Sequence, residues 1–99
     1  MATKREFLEH TKDRVREPKQ YHVIMLNDDF TSMEFVVQIL VDIFHKDLLS
    51  AEQIMLGVHR GGRAIVGTYS YDIAATKVNA ATARAKAEGY PFRMLIEEA

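Results

Sequence analysis

After a strongly polar first stretch, the apolar residues of this chain fall into three short dense runs and three longer periodic ones. Tyr21 to Leu26 is dense in Tyr, Val, Ile and Leu, too short for a helix and suited to a pleated surface, so it predicts a strand buried on at least one face. Arg63-Ala64-Ile65-Val66-Gly67-Thr68-Tyr69 predicts a second strand, in which Gly67 weakens the middle or lets another backbone approach. Phe92 to Glu97 predicts a third. Between the first two, Met33, Val36, Val37, Leu40, Ile43 and Phe44 recur at helical spacing, with Glu34, Gln38 and Asp42 on the opposite side.

Local signals set the expected ends of the helices. Thr31-Ser32-Met33-Glu34 matches a capping box, with Thr31 accepting from the Glu34 amide, so a helix is expected from about Ser32 to Phe44. Ser50-Ala51-Glu52-Gln53 repeats the signature ahead of a second, shorter helix carrying Ile54, Met55 and Val58, which Gly61-Gly62 terminates. Ser70 is placed to cap a third, alanine-rich helix running to about Glu88, with Gly89 and Pro91 as its stop. Ile73, Ala74, Val78 and Ala81 would be its buried stripe. The order is β-α-α-β-α-β, and the economical architecture is an α+β two-layer sandwich: a three-stranded sheet with three helices on one face.

Composition adds bounds to this picture. At 99 residues the chain is one domain near the lower size at which a core stands without staples. Residues 1–19 hold six Lys or Arg and four Asp or Glu, with Phe7, Leu8 and Val15 as their large apolar residues. They are expected to form a flexible extension ahead of a core domain over 20–99. A net charge of −1 argues against broad nucleic-acid binding. The chain has no cysteine, so neither a disulfide nor a thiolate metal site is available. No secretory signal and no apolar run of spanning length stand in the sequence, which points to a cytoplasmic protein without a membrane partner.

The candidate chemistry gathers at Asn27-Asp28-Asp29-Phe30-Thr31, where the first strand gives way to a helix. Asn-Asp-Asp before a helix is ordinary turn and cap chemistry. Thr31 already serves as the expected cap, however, so the run has acceptors to spare, and two carboxylates with an amide suit a cationic group. His59 falls at the end of the second helix, where a histidine is commonly a dipole partner. Met55, Val58 and His59 nevertheless share one helical face, as do Met33, Val36 and Val37 on the helix before. Methionines among them would make an adaptable apolar wall, although such residues at helical spacing are ordinary core. Asp28, Asp29 and His59 could also serve a metal-dependent or carboxylate/His hydrolase, but no second histidine stands at ligand spacing and no serine has nucleophile-elbow flanks. Arg60-Gly61-Gly62-Arg63 looks faintly like a phosphate loop and reads more simply as a helix-to-strand turn. No metal or cofactor is expected.

Three segments together carry a resemblance: Leu26-Asn27-Asp28-Asp29-Phe30-Thr31-Ser32-Met33-Glu34-Phe35-Val36, Ile54-Met55-Leu56-Gly57-Val58-His59, and Gly67 through Val78. Over about residues 20 to 99 the chain resembles the ClpS adaptors of the bacterial Clp protease. The resemblance implies a non-enzymatic, monomeric adaptor that recognises proteins with N-terminal Leu, Phe, Tyr or Trp and hands them to the ClpA-ClpP protease. It implies that Asn27, Asp28 and His59 hydrogen-bond the substrate's α-amino group and first peptide unit. Thr31, Met33, Val36, Met55 and Val58 would line the pocket for the first side chain, with Asp29 and Ile24 nearby and Phe92 at its edge. Met33 would exclude β-branched first residues, and binding would weaken as His59 becomes charged.

By the same resemblance the N-terminal domain of the ClpA-type unfoldase would dock on the third helix, at Asp72 and Lys77, and residues 1–19 would aid delivery. The chain departs from the family's pattern at several positions. Ser32 stands where proline is common, Phe30 for tyrosine, Tyr90 for histidine and Phe92 for leucine. Thr68, Ser70 and Ala75 replace the common valine, threonine and glutamate. The element order also resembles the C-terminal domain of the ribosomal stalk protein, which leaves a ribosome-associated domain as an alternative that the lack of a basic surface disfavours.

Overall fold

A computed structural model describes residues 19–99. The extension expected over residues 1–19 thus lies, Lys19 apart, outside the described residues. The elements follow the expected order: β1 (Tyr21–Leu26), α1 (Met33–Asp42), α2 (Leu48–Gly61), β2 (Arg63–Tyr69), α3 (Tyr71–Ala87) and β3 (Met94–Glu98). The first strand becomes the middle one: the sheet order is β2-β1-β3, with β1 antiparallel to both neighbours. Val23 faces Gly67 while Ile24 faces Ile65, so Val66 is an extra residue and β2 bulges there. Gly67 lacks a Cβ for a reason other than the expected backbone approach. A Cβ there would lie 2.7 Å from Tyr69 Cζ, so what fills the space is the ring two residues on.

Several helix ends differ from the sequence signals. Ser32, not Thr31, caps α1, its Oγ accepting from the Phe35 amide at 3.1 Å. This helix stops at Asp42, two residues earlier than Phe44. His45 turns left-handed (φ 55°), and the Lys46 amide closes back onto the Leu40 carbonyl at 3.0 Å. Asp47 rather than Ser50 starts α2, accepting from the Ser50 amide at 3.2 Å. This makes α2, at 14 residues, longer than the 10-residue α1, reversing the expected order of lengths. Gly62 ends it with φ 86°, as the glycine pair implies. Ser70 holds the cap position of α3 without a side-chain cap bond. The third strand begins at Met94, so Phe92 is a connection residue rather than a strand residue.

One core joins the layers. Val23 and Met25 of β1, Val66 of β2 and Met94 at the start of β3 meet Phe35, Val36, Ile39 and Leu40 of α1, Val58 of α2 and Ala74, Ala81 and Ala85 of α3. Met25, Ile39, Leu40 and Val23 are fully buried; each contributes about 1.5–3 kcal/mol by leaving water. The buried stripe of α3 is purely alanine, which lets the helix lie close to the sheet. Ile73, expected in that stripe, is instead half exposed, and Ala85 takes the place further along.

The face of the sheet turned from the helices is not bare polar surface. Ile24 is paired with Ile65 and Leu95 on either side, and both of these are substantially exposed. Ile24 itself is buried because Arg63 of β2 and Glu97 of β3 reach over β1 to each other at 3.3 Å. Among the described residues no helix is long and apolar enough to cross a membrane.

Candidate functional site

The site is built where β1 leaves the sheet. The Leu26 amide donates to the Arg93 carbonyl at 3.3 Å and the Asn27 amide to the Gly62 carbonyl at 2.9 Å, so the end of β1 is pinned from both sides. The chain then turns around Asp28. Its Oδ1 accepts from the amides of Phe30 (2.8 Å) and Thr31 (2.7 Å), and its Oδ2 accepts from the Thr31 hydroxyl (2.7 Å). Asp28 is therefore the brace of the loop, and Thr31 serves that brace instead of capping α1. Partial burial raises the Asp28 pKa, but the Thr31 hydroxyl and the Thr31 and Phe30 amides outweigh it and leave the carboxyl below its ordinary value.

Beside this loop lies a cavity of about 180 Å³ whose lining includes Asn27, Asp28, Asp29, Thr31, Met33, Val36, Met55, Val58, His59 and Phe92. The elements explain how the set converges. The loop after β1 supplies the polar residues, the first turn of α1 supplies Met33 and Val36, and the last turns of α2 supply Met55, Val58 and His59 on one face. Exposure divides them. Asn27, Asp29, His59 and Met33 (44% exposed) lie toward the surface, while Val36, Val58 and Phe92 (each at or below 9%) form the deep end. The result is an apolar well with polar groups at one side of its mouth.

Acceptors predominate at the mouth. A carboxylate offers about four lone-pair positions, and three on Asp28 are taken by its own loop, so one on Oδ2 remains. The side chains of Asn27, Asp29 and His59 have no hydrogen-bond partner among the described residues. An incoming ammonium, with three donors and no acceptor, matches this set; an anion does not. Asp28, Asp29 and His59 do not come together as metal ligands, since among the described residues no three His, Cys, Asp or Glu form such a group.

Three of the positions at which the chain departs from the pattern of the family it resembles, Ser32, Tyr90 and Phe92, gather beside the deep end. The Tyr90 hydroxyl donates to Ser32 Oγ at 3.3 Å, so the serine that caps α1 is also bonded across 58 positions of sequence. The Phe35 ring packs against Tyr90 (4.9 Å between centroids) and edge-on against Phe92 (5.9 Å). Of these rings Phe92 lines the well, and Phe35 and Tyr90 lie behind it in the same aromatic cluster.

Two groups of expected site residues are not in the cavity. Ile24 does not line it. This residue sits mid-strand on the far face of the sheet, three residues or about 10 Å of strand upstream of Asn27. Leu26, which sequence reasoning missed, lines the cavity instead. Its signal was position alone, as the last strand residue before Asn27. Asp72 and Lys77 lie on α3 in a separate shallow depression with Ile73 and Thr76. Asp72 is exposed, whereas the Lys77 ammonium turns inward, donating to the Ile43 carbonyl at 2.8 Å and lying 5.8 and 5.5 Å from the Phe44 and Tyr69 ring centres.

Comparison with known proteins places the chain in a family. The family model described as "ATP-dependent Clp protease adaptor protein ClpS" matches residues 16–95. Two relatives named ATP-dependent Clp protease adapter protein ClpS, from Paraburkholderia xenovorans and Burkholderia thailandensis, are 47% and 48% identical over 92 residues. In each case the match covers 93% of this chain and 88% of the relative. Among solved structures, Agrobacterium tumefaciens ClpS2 bound to L-phenylalaninamide superposes with a TM-score of 0.81 at 37% identity, covering 84% of this chain and all of the other.

Proposed function

This chain belongs to the ClpS family of adaptors of the ATP-dependent Clp protease, and from that premise we propose that it binds proteins through a free N-terminal Leu, Phe, Tyr or Trp and delivers them to the ClpA-ClpP protease. The observation that carries the reading is the apolar well of about 180 Å³ with Asn27, Asp28 and His59 at its mouth. The well takes the first side chain; the mouth takes the α-ammonium and the first peptide unit. Phenylalaninamide, the ligand of the Agrobacterium relative, has the same two features, a free α-amino group and a large apolar side chain.

Each group has a task. Asp28 Oδ2 and the Asn27 side-chain carbonyl accept from the ammonium, and charge assistance strengthens both bonds. His59 accepts when its imidazole is neutral and loses that capacity on protonation. Met33, Met55, Val36 and Val58 surround the side chain with adaptable apolar contacts, and Met33, at the mouth, crowds a first residue branched at Cβ. For delivery we assign the exposed surface of α3 around Asp72, with Tyr71 and Ile73 beside it and Lys77 holding the adjoining turn. Residues 1–19 are assigned to the same step.

The test is a peptide panel differing only at residue one, measured by fluorescence anisotropy. Peptides beginning with Phe, Leu, Tyr or Trp should bind at micromolar or tighter levels, about −8 kcal/mol. Those beginning with Val or Ala should bind far more weakly, and Asp28→Ala should abolish binding. An N-acetylated Phe peptide that bound as well as the free one would refute ammonium recognition.

A further inference from the structure

The loop that carries the mouth of the well has a second side. A broader groove of about 620 Å³ adjoins it, sharing the 26–29 stretch and completed by Phe30, Gly62, Pro91 and Arg93. Its two walls are those that pin β1, since Gly62 and Arg93 accept the Asn27 and Leu26 amides. Phe30 is 79% exposed, the most exposed large apolar residue described. A ring so open has no packing role in the fold, and Pro91 and Leu26 complete an apolar lining around it. Arg93 is the cation of this groove. It is exposed and, among the described residues, enters no ion pair; its guanidinium is therefore uncommitted.

We propose that this groove receives the substrate chain directly behind its first residue, and that Arg93 favours a carboxylate side chain at the second or third position. The inference rests on the N-terminal reading of the well given above. With the ammonium held at Asn27 and Asp28, the substrate backbone leaves the mouth beside residues shared by well and groove. An extended chain advances about 3.3 Å per residue, so its next side chains fall within this adjoining groove. Charge orders the sequence that it reads: a cation first, opposite Asp28 and Asp29, then an anion opposite Arg93. The competing exit is a smaller groove of about 340 Å³ beyond Met33 and Met55, flanked by Glu34 and Glu52. It shares the well's apolar wall but none of the 26–29 stretch that holds the amine, and its carboxylates would select a basic residue instead.

The experiment uses the full chain and peptides beginning with Phe that carry a single Glu or a single Lys at position two or three, with Phe-Ala-Ala as the reference. In the wild type and in Arg93→Gln and Arg93→Glu, the ratio of Glu-peptide to Lys-peptide affinity is measured. At one of the two positions the ratio should fall by about fivefold in Arg93→Glu, with Arg93→Gln between, as suits an exposed ion pair replaced by a repulsion. Because Asp28 and Asp29 favour Lys throughout, the change in the ratio carries the test. A ratio indifferent to Arg93, while Phe-Ala-Ala still binds, overturns the groove assignment alone. A ratio that instead responds to Glu34→Gln and Glu52→Gln places the exit on the other side and also overturns it. Failure of the wild type to bind Phe-Ala-Ala overturns the N-terminal reading, and this inference falls with it.

Discussion

In the proposed reading Asp28 carries two tasks with one carboxylate, and its hydrogen bonds separate them. Three accepted bonds brace the loop, and a lone pair on Oδ2 is left over for the ammonium in a residue that lines the well. The same bonds hold its pKa below the ordinary 3.8 against the opposing effect of partial burial. A depressed folded pKa means that the charge stabilises the loop fully above the unfolded value and that this contribution is lost only as pH falls through the folded one. The Phe30 and Thr31 amide resonances should therefore titrate together with a midpoint below pH 3.8 and should not titrate in Asp28→Asn. A midpoint at or above that value would mean that the brace does not form in solution. Residue types in sequence could suggest this pair of tasks but not divide the lone pairs between them. Thr31, a plausible cap by spacing, is claimed by Asp28, and Ser32, one position on, takes over the cap.

At the scale of elements, β2 and its bulge show how a glycine can be required without an unusual backbone angle. Gly67 leaves room for the Tyr69 ring, which packs against Phe44 and beneath the Lys77 ammonium that caps the end of α1. Gly67→Ala should displace that ring and lower stability by about 2 kcal/mol, roughly 10 °C in Tm by calorimetry. Against a Tyr69→Ala background the same substitution should cost much less, and equal costs in both backgrounds would show that the ring is not the reason. The strands and helices themselves were legible from runs, periodicity and punctuation, all of which act within a few residues. Their ends were less so. Candidate caps compete over one or two positions, and the winner at Asp47 depends on where the preceding turn through His45 delivers the chain.

Across the whole molecule, the well and the α3 surface are separate, and β1 lies at the centre of the sheet with its end presented to the site. Binding and delivery should therefore be separable. Removal of residues 1–18 spares the Lys19–Glu98 ion pair and the Gln20–Ala99 backbone bond at the edge of the sheet. That truncated chain should bind a Phe peptide within about twofold of the full chain, since every residue lining the well falls between Leu26 and Phe92, yet fail to support its degradation in a reconstituted protease assay. Unchanged degradation would remove the extension from the delivery step. The sequence by itself determined the order of elements, the α+β class and the polar stretch at Asn27-Asp28, because each is written in short-range pattern and residue chemistry. Only the tertiary structure decided that β1 runs between β2 and β3, that Leu26 and not Ile24 borders the well, that Ser32 bonds Tyr90, and that Arg93 faces a second groove. Those outcomes depend on strand pairing and helix packing between residues far apart in the chain, which local pattern does not encode.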